Sequence, residues 1–154
     1  MADASSAQQM ADAVGVHLFA NDRASKAMGM RIVAISEGAA FLEMKVRDDM
    51  LNGFDICHGG FITTLADSAF AFACNSTGEM TVAAGLSVDF LVPARRGDVL
   101  TARAFEVVQQ GRAGFYDITV TNQRGEQVAL VRGRAHRMKG QRVLEGSEGN
   151  GGGA

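Results

Sequence analysis

The order of residues predicts an α+β domain in which an antiparallel sheet of five to six strands curls around one long central helix. Three observations carry this reading. Two strand-like runs precede a long apolar helix and four follow it. The strand-like runs are joined by short turns suited to hairpins, which excludes βαβ winding. The long segment at 59–76 is hydrophobic on most of its surface, as an enclosed helix must be.

The elements follow in order. Residues 8–19 have helical character, with Met10, Val14 and Leu18 on one side. Asn21-Asp22 can cap a short second helix that ends near Gly29. Residues 30–36 form a strand joined through Glu37-Gly38 to a second at 40–46. In the second, Ala40, Leu42, Met44 and Val46 alternate with Glu43, Lys45 and Arg47, the period of a half-buried strand. The long helix closes at Thr77-Gly78. Four runs then follow, 82–92, 98–108, 114–121 and 126–137. They are separated by Arg96-Gly97-Asp98, Gln110-Gly111 and Asn122-Gln123-Arg124-Gly125. The folded unit is expected to span 9–142. Residues 143–154 read as a flexible tail, because 146–154 carry five glycines in nine positions and too little apolar surface to offset ordering.

Composition narrows the function classes. The 154 residues hold 15 Lys+Arg against 17 Asp+Glu, a net charge of −2, and 47% are hydrophobic. That size and balance suit one domain with a real core and argue against disorder. They also argue against a broad basic surface for nucleic acid or an anionic membrane. No apolar run reaches the ~20 residues of a membrane span. Met1-Ala2-Asp3-Ala4 lacks the features of a secretion signal, and Cys57 and Cys74 form no CxxC unit, so a cytoplasmic setting is expected. His17, His58 and His136 fall in no metal-ligand spacing, and neither a metal nor a cofactor is expected.

One residue is out of character. Across 61–74 every side chain is apolar, small or hydroxylated except Asp67. A carboxylate there costs several kcal/mol unless it is paired or reaches water. It either faces solvent, bonds to Thr63 or Thr64 one turn back, or has a chemical task. The helix start favours a task. His58-Gly59-Gly60 leaves backbone N–H groups open at the positive end of the helix dipole, an anchor for a carbonyl oxygen or oxyanion. Gly59 and Asp67 are eight residues apart, about 12 Å along a helix, whereas both groups must come within ~3 Å of one reacting carbonyl. One helix cannot do this. Two antiparallel helices from two subunits can.

The segment Asn52-Gly53-Phe54-Asp55-Ile56-Cys57-His58-Gly59-Gly60, followed by 65–71 (LADSAFA), resembles the hotdog-fold acyl-CoA thioesterases, in particular the PaaI-type subgroup associated with phenylacetate degradation. The resemblance continues through 87–93, 97–102, 114–118 and 129–133 and covers about residues 10–140. It implies a central helix wrapped by an antiparallel sheet, and dimers that pair into homotetramers. It also implies hydrolysis of acyl-CoA, with phenylacetyl-CoA or its ring-hydroxylated derivatives as the expected substrate. By position Asp67 matches the catalytic acid, Gly59 the polarising amide, and Asn52 and His58 the neighbouring polar pair. Asp67 would activate water or attack the carbonyl directly to give a mixed anhydride. Asn52 would orient water or the carboxylate. His58 either takes part in the chemistry or fixes the loop before the helix. Gly60 adds a second backbone donor. Arg132, Arg134 and Arg137 on the last strand can meet CoA phosphates or form a solvated face. Two other functions suit the same pattern, a hotdog enoyl-thioester hydratase or dehydratase and a non-catalytic acyl-CoA-binding module.

Overall fold

The structure, a computed structural model, describes residues 3–145. Helix α1 spans Ala4–Asn21 and α2 spans Arg23–Ala27; then come β1 Arg31–Ser36, β2 Ala39–Lys45 and a 3-10 turn at Asp48–Met50. Helix α3 spans Gly59–Asn75, followed by β3 Glu79–Phe90, β4 Val99–Gln110, β5 Ala113–Thr121 and β6 Gln127–Arg142. The six strands form one sheet in the order β1-β2-β4-β5-β6-β3, and every neighbouring pair is antiparallel.

Local chemistry accounts for the boundaries. The Asp3 side chain accepts from the Ser5 N–H and starts α1 earlier than the apolar pattern alone implies. Asp22 caps α2 through the Ser25 N–H at 2.9 Å, and Gly29 leaves that helix with φ +69. Gly78, at φ +85, turns the chain out of α3 while its N–H donates to the Asn75 carbonyl. The Asn75 amide then holds both the N–H and the carbonyl of Thr81 at 2.9 Å, which registers the start of β3 against the helix.

Helix α3 is the centre of the core. Ile62, Leu65, Ala66, Ala69, Phe70 and Ala73 recur at helical spacing and are buried against Leu42, Leu100, Ala102, Tyr116 and Ile118 of the sheet. Small residues permit close contact. A Cβ at Gly133 of β6 would stand 2.9 Å from the Phe70 ring. The remaining stripe of α3, Gly60, Thr63, Thr64, Asp67, Ser68 and Ala71, is half-buried or exposed and no strand covers it.

Two expectations need correction. Strand β6 continues to Arg142, five residues past the expected end. Val143 is also ordered, because it is buried and its N–H donates to the Gly78 carbonyl at 2.9 Å; it packs where a tail was expected to begin. The rest of the expected tail, 146–154, lies outside the described residues.

Candidate active site

The site is built on the first half of α3 and the loop that leads into it. That loop is tightly folded. The Asn52 side-chain oxygen accepts from the N–H groups of Phe54 (2.9 Å) and Ile56 (3.4 Å), and the Asn52 N–H donates to the Ile56 carbonyl. Asp55 takes a left-handed φ of +61 to close the turn. Asn52 therefore shapes the loop with its oxygen, its amide NH2 has no hydrogen-bond partner among the described residues, and the residue lines an adjoining cavity.

His58 is the N-cap of α3. Its Nδ1 accepts from the Gly60 N–H at 3.0 Å, so the ring proton of the neutral imidazole sits on Nε2. This has two consequences. The loop-fixing reading of His58 has a direct geometric basis. The Gly60 amide, expected as a second donor to substrate, is committed to His58. The Gly59 N–H, by contrast, donates to no acceptor among the described residues and lies at the positive end of the dipole of a 17-residue helix.

Two turns further along, Asp67 is half-buried and makes no hydrogen bond or ion pair among the described residues. The threonines that could have held it are engaged elsewhere. Thr63 Oγ1 donates to the Gly59 carbonyl and Thr64 Oγ1 to the Gly60 carbonyl, both at 2.8 Å. Burial pushes the Asp67 carboxyl above its usual 3.8, the direction that makes a carboxylate a better base near neutral pH. Its neighbour Ser68 meets Ser25 Oγ at 2.8 Å, and Ser25 is in turn held by Asp22, so this side of α3 is pinned to α2.

A cavity of about 360 Å³ opens beside the Gly59 amide. Its walls are largely apolar, with Ile56, Ile62, Phe90, Leu91 and Pro93, and Asn52 is a polar group at its edge. Phe90 was not singled out from the sequence. It lies on the segment 87–93 that carries the family resemblance, three residues before the lone proline, and that was its only signal. The two cysteines are buried and unpaired, and burial pushes their thiols up to about 11 for Cys57 and about 12 for Cys74, so neither supplies a thiolate. Tyr116 is core, donating to Glu106 at 2.9 Å and packing edge-on against Phe70.

The three arginines of β6 do not act together. Side chains alternate across a strand, so Arg132 and Arg134 point away from α3 and Arg137 points toward it. Arg132 pairs with Asp117, Arg134 donates to the Ala84 carbonyl at 3.2 Å, and Arg137 pairs with Glu79 at 3.0 Å.

An antiparallel sheet wrapped around one helix, with an uncommitted amide at the helix N-terminus and a half-buried, unpaired acid two turns on, fits the hotdog class of acyl-thioester enzymes. The chain belongs to the thioesterase superfamily, whose family model matches residues 54–129. It is 48% identical to acyl-coenzyme A thioesterase PaaI of Escherichia coli (strain K12), over 80% of this chain and 88% of that protein. The solved structure of E. coli PaaI, from the phenylacetic acid degradation operon, superposes with a TM-score of 0.84 at 44% identity, covering 85% of this chain and 95% of that one. A Streptococcus mutans protein solved with bound acetyl-CoA superposes with a TM-score of 0.69 at 28% identity, covering 71% and 88%.

Proposed function

We propose that this chain hydrolyses acyl-CoA thioesters, with phenylacetyl-CoA and its ring-hydroxylated derivatives as the preferred class, at a site shared by two subunits. The observation that carries the reading is the pairing of an uncommitted Gly59 amide with an uncommitted Asp67, both half-buried and on the side of α3 that no strand covers. The close relationship to PaaI supports the substrate class.

The thioester carbonyl oxygen lies at the Gly59 N–H of one subunit. Asp67 of the antiparallel α3 in the second subunit takes a proton from water as the water oxygen bonds to the carbonyl carbon. The resulting oxyanion is held by the amide and the helix dipole. Collapse breaks the carbon–sulfur bond, the CoA thiolate leaves, and the proton on Asp67 returns to the products. The thiolate is a good leaving group, so no strong acid, metal or cofactor is required. Asn52 orients the water or the carboxylate through its NH2, and His58 holds the helix start. The minimal active unit is a homodimer, two of which pair as a homotetramer in the cytoplasm. The α3 stripe that no strand covers supports pairing, and no helix among the described residues is long and apolar enough to cross a membrane.

The test is release of free CoA from a panel of arylacetyl, aroyl and linear acyl thioesters. Turnover fastest with arylacetyl-CoA is expected. An enzyme silent on the whole panel, or one that adds water to an enoyl thioester, would overturn the assignment.

A further inference from the structure

Two stretches of chain wall the cavity beside Gly59. One is the loop before α3, through Asn52, Ile56 and Cys57, and the other is the end of β3 with the residues that follow it. The base of the loop is tied down. The Cys57 N–H donates to the Ala94 carbonyl at 2.7 Å and the His58 N–H to the Met50 carbonyl at 2.8 Å. The far turn has less to hold it. From within the loop it rests on Asn52, and its last residue, Asp55, takes a left-handed backbone that a side chain adopts only at a cost.

Among the described residues, one side chain from outside the loop bonds to this turn. Arg96 donates from Nε to Asp48 Oδ1 at 2.8 Å and from Nη2 to Asp55 Oδ1 at 3.3 Å. Its Nη2 also stands 2.7 Å from Asp48 Oδ1. One guanidinium therefore bridges the 3-10 turn that opens the loop and the left-handed residue at its tip. A planar fork of donors can span two carboxylates in this way, where an ammonium offers a single point charge.

Arg96 reaches out from a rigid base. The Gly97 N–H donates to the Val46 carbonyl at 2.9 Å, and the Val46 N–H returns to the Asp98 carbonyl at 2.8 Å. The buried Asp98 carboxylate accepts from the Arg95 N–H at 2.9 Å, from Gln123 at 2.8 Å and from Arg124 at 3.3 Å. The residues on either side of Arg96 are thus locked to the end of β2 and to the β5–β6 hairpin. An exposed ion pair adds little to folding stability. What this one decides is which of several near-equal shapes the loop takes.

We propose that Arg96 is a positioning residue for the reaction. By holding Asp55 to Asp48 it keeps the loop closed and so fixes the Asn52 amide beside the reacting groups. This role rests on the thioesterase reading and on the part that reading gives to Asn52. In Arg96→Ala, kcat for acyl-CoA should fall about tenfold, with KM within about twofold of wild type. The melting temperature should stay within about 2 °C. Asp55→Asn keeps a residue that tolerates the left-handed turn and removes its charge. It should reproduce the loss of kcat, and the double variant should add nothing to it. Asn52→Asp keeps an oxygen for the Phe54 and Ile56 N–H groups and removes the NH2. In that background Arg96→Ala should leave kcat unchanged.

Hydrogen exchange reads the loop without substrate. The Phe54 and Ile56 amides should exchange about tenfold faster in Arg96→Ala, while the amides of α3 keep their protection. Exchange and kcat both within about twofold of wild type would overturn the proposal. Faster exchange with kcat retained would overturn it too, since the loop would be held to no catalytic purpose. Loss of protection across the whole chain would mark a general stability defect and count equally against it. Wild-type protein that releases no CoA would overturn the thioesterase reading, and the exchange measurement would still decide whether Arg96 holds the loop.

Discussion

The ring of Phe90 lies over Gly59 so closely that a Cβ at residue 59 would stand 2.8 Å from its Cζ. The end of β3 thus covers the start of α3 at the amide proposed to receive the carbonyl oxygen. Phe90 is about half exposed, so its ring has room to move. Gly59→Ala is therefore expected to change stability by less than about 1 kcal/mol, because better helix propensity offsets the crowding. It should lower kcat/KM by about ten- to a hundredfold, since the displaced ring narrows the cavity beside the amide. In a Phe90→Ala background the same substitution should cost several-fold less. A double-mutant cycle with no coupling between the two positions would refute the contact's role.

Asp67→Asn should separate stability from activity. Burial raises the Asp67 carboxyl above its unfolded value of 3.8. The stability this group contributes is fully present below pH 3.8 and is lost as pH rises through the higher folded value. Asparagine carries no charge to bury, so the variant should be the more stable protein at pH 7, with an advantage that fades toward pH 3.8. Activity should fall about 10²- to 10⁴-fold. The acid limb of the wild-type kcat/KM profile should have its midpoint above 3.8. Thermal melts across pH and a pH–rate profile check the three statements together.

His58 is expected to matter through the cap it makes. His58→Ala removes the acceptor for the Gly60 N–H and should cost about 1 kcal/mol. His58→Asn supplies another capping oxygen and should restore the melting temperature with most of the activity. A stable but inactive asparagine variant would show instead that the imidazole takes part in the reaction.

Much of the fold was legible because its signals are local. The alternation at 40–46, the hairpin glycines and the unbroken apolar helix each specify an element from its own residues. Asp67 stood out for the same reason, being the only charge in a segment that cannot solvate one. What escaped depended on residues distant in the chain. The extension of β6 past 137 comes from pairing with the start of β3, which Asn75 registers from the end of α3. The separation of Arg137 from Arg132 and Arg134 follows from strand alternation, but its pairing with Glu79 needed the sheet order. The contact of Phe90 with Gly59 joins residues 31 positions apart, and no periodicity announces it.

The buried helix–sheet approach at Gly133 should be the least tolerant of added volume. A Cβ at Gly133 would stand 2.9 to 3.0 Å from three ring carbons of Phe70, which is fully buried and held edge-on by Tyr116. Unlike Phe90, this ring cannot swing away. Gly133→Ala should destabilise the fold by about 1–3 kcal/mol through overpacking. Denaturant unfolding checks this, and a neutral result would mean that the helix can lift from β6.

The proposed shared site makes the strongest demand, because it requires two inactive chains to restore each other. Gly59→Pro removes the N–H and nothing else the helix needs. Residue 59 is the first helical position, where proline is tolerated, and His58 before it already has the extended backbone that a following proline requires, φ −60 and ψ 133. Losing that donor should lower kcat by about 10²- to 10³-fold, with Gly59→Ala as the control for bulk. Gly59→Pro and Asp67→Asn chains, each nearly inactive alone, are then co-expressed in equal amounts. A mixed dimer joins Gly59 of the second chain to Asp67 of the first and regains one intact site, while its other site lacks both groups. Random pairing makes half the dimers mixed, each with one of two sites working, so the pool should recover about a quarter of wild-type activity. If each helix served its own carbonyl, every site would carry one lesion, and the mixture would show only the sum of its inactive parts.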